Sequence, residues 1–344
     1  MNREYKTILM SLANIERDGR LQELYKICKE LGPAEVIDRK GSSIINYLFK
    51  ILFHRYKCDC LVVDNRTVIP FALLFILLKR PKYIIQDCRE MYFFNEQKSF
   101  KSKIGCLFEI ILLKIADIII VANKYRAKIM KKYYKLAEEP IVFENIRRLD
   151  DLCNAVNFEE KYKDICNKKS FKIISTSGFQ NTPIENELIK DVLKISENVE
   201  LYFVGNNTKP NQILNEDELK RIHFIGRVPL EELKFILQHM DIGYVGYEIV
   251  SLNTKYCASG KIYEYAYEKL PILAYKNIPL KKFINEYRVG VCGDNFVELI
   301  LELKNNYEFY KKNTLILKNK IEILEKQQLI EVIQKIKNSE KMRS

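Results

Sequence analysis

Cys257-Ala258-Ser259-Gly260-Lys261-Ile262-Tyr263-Glu264-Tyr265-Ala266-Tyr267-Glu268-Lys269-Leu270-Pro271-Ile272-Leu273-Ala274 runs from small residues into a charged, aromatic stretch at helical spacing. A proline then leads into an apolar strand. Ser259 and Gly260 stand where that helix starts: serine is a favoured N-cap, and glycine admits a close approach to the backbone. The free N–H groups of a first helical turn make an anion site. Lys261 adds a full positive charge beside them. Glu264 falls about one turn further on, where its carboxylate accepts hydrogen bonds from vicinal hydroxyls. The segment therefore offers a diphosphate cradle and a ribose clamp. The same residue types also open many α/β helices that bind nothing.

Upstream of this stretch, strands alternate with helices. Phe171 to Gly178 reads as a strand opening into a Ser/Thr/Gly loop, which offers hydroxyls and N–H groups. Glu200 to Gly205, His223 to Pro229 and Met240 to Val245 read as further strands. The first half has the same rhythm. Thr7-Ile8-Leu9-Met10 is a strand, Leu21 to Leu31 a helix stopped by Gly32-Pro33, and Ala34 to Asp38 a second strand, which makes a βαβ unit. Ile44 to Phe53 is an apolar helix. Val68 to Leu78 reads as a helix buried on most faces, with membrane dipping as the other option. Tyr83 to Glu90 is a buried strand with a charged tip, so Asp87, Arg89 and Glu90 follow a strand's carboxyl end, where open α/β sheets bind ligands. A local Arg89–Glu90 ion pair would explain two of them equally well. Asn123 to Lys135 is a basic helix, and Lys124, Arg126, Lys128, Lys131, Lys132 and Lys135 suit either an anionic membrane surface or plain solvation.

The segment Lys261-Ile262-Tyr263-Glu264-Tyr265-Ala266, followed by Lys269-Leu270-Pro271-Ile272-Leu273-Ala274, resembles the donor-site motif of GT-B glycosyltransferases, in particular bacterial family 4 enzymes of surface-polysaccharide synthesis. The alignment needs one deletion, and Glu268 stands where the family usually has Gly. The order "F-V-G" (203–205), "F-I-G-R-V-P" (224–229), "D-I-G" (241–243), "K-I-Y-E-Y" (261–265) is similar to the family's second domain over about a hundred residues. The Asp87-to-Glu90 tip resembles an acceptor-side element, and Asp18-Gly19-Arg20 weakly echoes an acceptor-side glycine loop.

The resemblance implies an α/β fold of the GT-B type, two Rossmann-like domains facing each other across a cleft. We expect an acceptor-binding domain at 1–150, a linker at 151–170, a nucleotide-sugar-binding domain at 171–324, and a C-terminal helix at about 325–344 packing back on the first domain. It implies donor binding by Ser177, Gly178, Gly205, Gly226, Arg227, Val228, Ser259, Gly260, Lys261 and Glu264, with Glu264 on the ribose and Lys261 and Glu264 as the catalytic pair. Asp87, Arg89, Glu90 and Gly19 fall on the acceptor side. The implied reaction is metal-independent, retaining transfer of a sugar to an acceptor hydroxyl on a lipid-linked or other glycan. No cofactor is expected, because the nucleotide-sugar is a substrate. Two departures stand out. Many family members carry a second glutamate that would fall at Tyr256, and many place Arg and Lys where Gly178-Phe179-Gln180-Asn181-Thr182 stands. A non-catalytic GT-B subunit that binds a partner transferase therefore remains an alternative.

Composition bounds the rest. The 344 residues, 47% of them hydrophobic, suffice for two ordinary domains. Nine cysteines without CxxC pairing read as reduced thiols, and three histidines (His54, His223, His239) argue against a histidine-rich metal site. No apolar run reaches the roughly 20 residues a membrane helix needs, and the first residues do not read as a secretory signal. These features predict a cytoplasmic protein, with the inner face of the cell membrane as a place of work. Lys and Arg number 57 against 45 Asp and Glu, a net +12 that favours an anionic partner. Nucleic acid has the charge alone in its favour, since no helix-turn-helix, RNA-recognition or zinc motif accompanies it.

Overall fold

The computed structural model describes residues 6–54, 58–146, 158–195, 198–208 and 214–341. Residues 1–5, on which the reading of the leader rests, and 151–157 of the expected linker lie outside the described residues. The chain divides into two compact units, Met1–Asn145 with Leu324–Ser344, and Ile146–Ile323.

The first unit runs β1 (Thr7–Met10), α1 (Gly19–Leu31), β2 (Ala34–Ile37), α2 (Ile44–Leu52), β3 (Cys60–Asp64), α3 (Ile69–Lys79), β4 (Tyr83–Cys88), α4 (Phe100–Ile115), β5 (Ile118–Val121), α5 (Lys124–Tyr134) and β6 (Ile141–Val142). The strands form one sheet in the order β2-β1-β3-β4-β5-β6, parallel at every pairing. Its two faces are covered by different helices. Leu21, Leu24 and Ile27 of α1 pack with Leu9, Val62 and Ile85 on one face, and Val332 and Ile336 join them. Tyr47 and Ile51 of α2, Ala72 and Phe75 of α3, and Leu112 of α4 pack with Ile8, Leu61 and Ile84 on the other. Successive strand residues point to opposite faces, so each strand feeds both clusters.

The second unit runs α6 (Lys163–Asn167), β7 (Phe171–Ser175), α7 (Pro183–Lys194), β8 (Val199–Val204), α8 (Glu216–Leu219), β9 (Ile222–Ile225), α9 (Leu230–Gln238), β10 (Ile242–Val245), α10 (Leu252–Lys255), α11 (Lys261–Tyr267), β11 (Ile272–Tyr275), α12 (Ile278–Tyr287), β12 (Gly290–Gly293), α13 (Phe296–Asn305) and the first part of α14 (Tyr307–Lys341), which from Leu324 onward belongs to the first unit. Its sheet order is β12-β11-β10-β7-β8-β9, again parallel. Tyr162 and Ile165 are already part of this unit's core. Gly290 permits the β11–β12 pairing, since a Cβ there would stand 1.9 Å from the carbonyl oxygen of Ile272.

Three expectations need correction. The helix at 68–78 is buried along one stripe, Ile69, Ala72 and Phe75, while Leu77 and Leu78 face solvent. A helix apolar all round is ordinarily buried on every side, but here the stripe turned away from the sheet is left exposed. Arg126 is 2% exposed and is not a surface cation: it donates to the carbonyl of Arg89 and, at 3.1 Å, to Glu90. Lys124, Lys128, Lys131, Lys132 and Lys135 are exposed. The N-cap of α11 is Gly260 and not Ser259; the Ser259 hydroxyl instead accepts from Lys261 N at 3.3 Å.

Candidate functional site

In an open parallel sheet, ligands sit beyond the carboxyl ends of the strands where the strand order reverses. In the second unit that point lies between β7 and β10, because β7 continues to β8 on one side and β10 to β11 on the other. Thr176 is the first residue after β7, and three groups from α11 converge on it. Lys261 Nζ donates to the Thr176 carbonyl at 3.2 Å. Thr176 Oγ1 donates to Glu264 Oε2 at 3.4 Å. The Tyr265 hydroxyl accepts from Thr176 N at 3.0 Å and donates to the Tyr244 carbonyl at 2.9 Å. Burial pushes the Tyr265 phenol well up, so it keeps the proton that this second bond uses. Gly243 admits the tyrosine: a Cβ there would stand 2.2 Å from the Tyr265 ring.

The loops around this point are tied in place. Gly178, at φ +70°, lies so close to the next loop that a Cβ would be 2.3 Å from the Asn206 carbonyl oxygen. Gly205, at φ +136°, meets Gly178 from the other side. Gln180 Nε2 donates to the carbonyls of Asn206 at 2.8 Å and Ser177 at 3.3 Å. On the other flank Asn277, fully buried, accepts from Tyr247 N and donates to the carbonyls of Tyr247 and Thr254 at 2.9–3.1 Å. The Tyr247 hydroxyl donates to Ser259 Oγ at 3.0 Å. The chain Asn277–Tyr247–Ser259 thus reaches the first amide of α11.

The structure brings Ser177, Gly178, Gly205, Ser259, Gly260, Lys261 and Glu264 to the strand ends around β7 and the start of α11. Gly226, Arg227 and Val228 follow β9, the edge strand of the sheet, two strands from β7, and Val228 packs against the core cluster that includes Ile262 and Ala266 of α11. Tyr256 is the C-cap of α10, where the resemblance called for a glutamate. Thr176, Tyr265 and Asn277 were not singled out by sequence. Thr176 had a signal, a hydroxyl in the loop after a strand. Asn277 precedes Ile278-Pro279 and reads as a helix cap, yet its side chain makes no cap bond and turns to other loops.

The first unit has a polar cluster at its own reversal point, between β1 and β3. Ser11 Oγ donates to Asp64 Oδ2 at 2.6 Å across it. Arg89 pairs with Asp64 and, at 2.6 Å, with Asp18, which also caps α1 by accepting from Leu21 N. Arg20 grips Asp87 through two bonds of 2.5 and 2.8 Å and reaches the Phe143 carbonyl and Asn145 Oδ1, each at 2.7 Å. Burial, with the charge of Asp87, outweighs Arg89 and pushes Asp64 up to about 6. Burial also opposes ionisation of Asp18, but the bond and charge of Arg89 win and hold it below the usual carboxylate range. Asp87 is fully buried and bound on both oxygens, so the expected acceptor contact is instead a tie between β4 and α1. Glu90 pairs with Arg126 rather than with Arg89. Gly19 opens α1, and its neighbours Asp18 and Arg20 carry the bonds. Among the described residues, no three His, Cys, Asp or Glu side chains come together to hold a metal ion, and no helix is long and apolar enough to cross a membrane.

No known family profile matches the chain, and no curated protein matches it in sequence. Solved structures do match in fold. Sucrose-phosphate synthase from Thermosynechococcus elongatus aligns over 97% of this chain and 98% of its own, with TM-score 0.72 and 10% identity. Anabaena HepE in complex with UDP and glucose aligns over 98% and 100%, with TM-score 0.64 and 13% identity. A UDP-N-acetylglucosamine 2-epimerase aligns over 91% of both chains, with TM-score 0.56 and 14% identity. Two six-stranded parallel sheets flanked by helices, similar to these enzymes, are the GT-B fold.

Proposed function

We propose that the protein is a glycosyltransferase that takes a sugar from a uridine diphosphate donor bound at the carboxyl end of β7. One observation carries this reading: Lys261 and Glu264, spaced by one helical turn, both meet Thr176 at the reversal point of the second sheet. A cation and a buried carboxylate at that place match a diphosphate and a ribose respectively. HepE, similar in fold, was solved with UDP and glucose, which favours uracil as the base.

In the proposed reaction the acceptor hydroxyl oxygen bonds the anomeric carbon. The bond from that carbon to the diphosphate breaks, and its electron pair stays on the phosphate oxygen. The hydroxyl proton passes to that oxygen, with anomeric configuration retained. Lys261 offsets the charge that develops on the leaving group without reorganising as it forms. Glu264 holds the donor in register. We propose no metal for this step, so activity should survive a chelator. The acceptor is a lipid-linked saccharide of surface-polysaccharide synthesis, and the exposed lysines of α5 draw the enzyme to anionic lipid.

The test is a thermal-shift screen of UDP, GDP, ADP and CMP with their common sugars, run beside Glu264→Ala. A shift with UDP or a UDP-sugar, lost in the variant, supports the reading. No shift with any nucleotide would overturn it. It would favour the second reading, a non-catalytic subunit, which is motivated by the lack of any cation in Gly178-Phe179-Gln180-Asn181-Thr182.

A further inference from the structure

α2, α3 and α4 form one layer over a face of the first unit's sheet, α2 packing on α3 and α3 on α4. The rings of Tyr47 and Phe71 meet edge to face at 5.3 Å across the first of these contacts. The outer side of such a layer is ordinarily polar. Here it is not. Ile45 and Phe49 of α2, Phe53 just after it, Leu77 of α3, and Phe100 and Leu107 of α4 are each 50–79% exposed. Phe49 and Phe53 stack on each other at 5.8 Å, in the open. An apolar surface spread over three adjacent helices marks an interaction site.

The charge on this layer is of one sign. The three helices carry Lys50, Lys79, Lys101, Lys103 and Lys114, and a single acid, Glu109. Glu109 is 1% exposed, so it faces the interior and not the layer's surface. Burial, only partly offset by Arg66, pushes its carboxyl up to about 8 and leaves it mostly neutral. Exposed aromatic and aliphatic side chains on helices whose own outward charges are all cationic complement a bilayer with anionic headgroups: the rings enter the headgroup and acyl boundary while the ammonium groups stay at the phosphates.

We propose that the outer face of α2, α3 and α4 docks on an anionic lipid bilayer, with Phe49, Phe53, Leu77 and Phe100 inserted and the lysines of these helices on the lipid phosphates. The proposal is independent of sugar transfer, since a chain without activity would still bind. It also differs from attraction by the α5 lysines. Charge alone is screened by salt, whereas insertion persists.

The chain has no tryptophan, so Leu77→Trp places a single reporter on this face. With phosphatidylglycerol vesicles its emission should shift to the blue and be quenched by lipids brominated near the headgroup. In flotation, the unmodified chain should stay on these vesicles at high salt. Phe53→Glu/Leu77→Glu should lower the bound fraction about tenfold or more, with its melting temperature kept because both side chains are already exposed. Lys128→Glu/Lys131→Glu should weaken binding at low salt only. An emission spectrum unchanged by anionic vesicles would overturn the proposal. So would a dimer seen by light scattering that Phe53→Glu/Leu77→Glu dissolves while flotation is unaffected, because the face would then join two copies of the chain.

Discussion

The ammonium of Lys261 lies 3.2 Å from the backbone oxygen of Thr176, 85 residues earlier in the chain. That bond aims the lysine at the end of β7, and its acceptor is a neutral carbonyl. In the proposed function a diphosphate is the anion it meets. Charged hydrogen bonds contribute about 1.5–3 kcal/mol, so Lys261→Met should weaken UDP binding roughly 10- to 100-fold. Uridine, which lacks the phosphates, should bind both forms alike. Titration calorimetry of the two ligands checks this, and equal losses for both would place Lys261 in the scaffold and not on the diphosphate.

Gly178 lies in the loop after β7 and Gly226 directly after β9, and alanine should cost far more at the first than at the second. Alanine at 178 puts a side chain at φ +70° and 2.3 Å from the Asn206 carbonyl, while at 226 nothing lies within 4 Å. Gly178→Ala should cost roughly 2–3 kcal/mol and Gly226→Ala less than about 0.5 kcal/mol. Urea denaturation of the two variants reads the difference directly.

Arg20 and Asp87 are 7% and 0% exposed and bind through two parallel bonds. Removing one partner leaves the other charge buried, at a cost of roughly 3–5 kcal/mol. Arg20→Met should therefore be strongly destabilising. Arg20→Met/Asp87→Leu should recover much of that loss, because no charge is left stranded. A double variant no more stable than the single one would show that Arg20 acts mainly through the Phe143 carbonyl and Asn145.

Glu109 carries a carboxyl raised on folding from the ordinary 4.5 to about 8 by burial, which Arg66 only partly offsets. The folded state holds this proton more tightly than the unfolded chain does. Its contribution is complete below about 4.5 and is lost as pH rises through about 8. Unfolding free energy should fall from about pH 5 to about pH 9 by on the order of several kcal/mol, and melting temperature should fall with it. Glu109→Gln, which mimics the protonated acid, should flatten that slope and exceed the unmodified protein only at the alkaline end.

Much of the fold was legible because local pattern and global packing agree. Short runs rich in β-branched or aromatic residues, such as Ile118–Val121 and Val199–Val204, are too apolar for a surface and too short for a buried helix, and they became strands. Gly243, read from "D-I-G", marks the place where the Tyr265 ring crosses β10. The candidate site was proposed from a segment, Ser259 to Glu264, because helical spacing fixes which of its residues share a face.

What depended on tertiary structure is the identity of partners far apart in sequence. Nothing local told that Thr176 would join Lys261 to Glu264, or that Asp87 would be taken by Arg20 and Glu90 by Arg126. A buried charge takes whichever opposite charge the crossing of strands brings within reach, and strand order is a property of the whole sheet. The same holds for Val68 to Leu78. Its composition set helix and hydrophobicity, but which stripe meets the sheet and which is left outward, with Leu77 exposed, follows from how α2, α3 and α4 share one face. The sequence by itself determined the elements, their alternation and the segment on which the candidate site is built. Only the tertiary structure decided which charges are spent on each other and which apolar side chains are left facing out, because both depend on contacts that close over long stretches of chain.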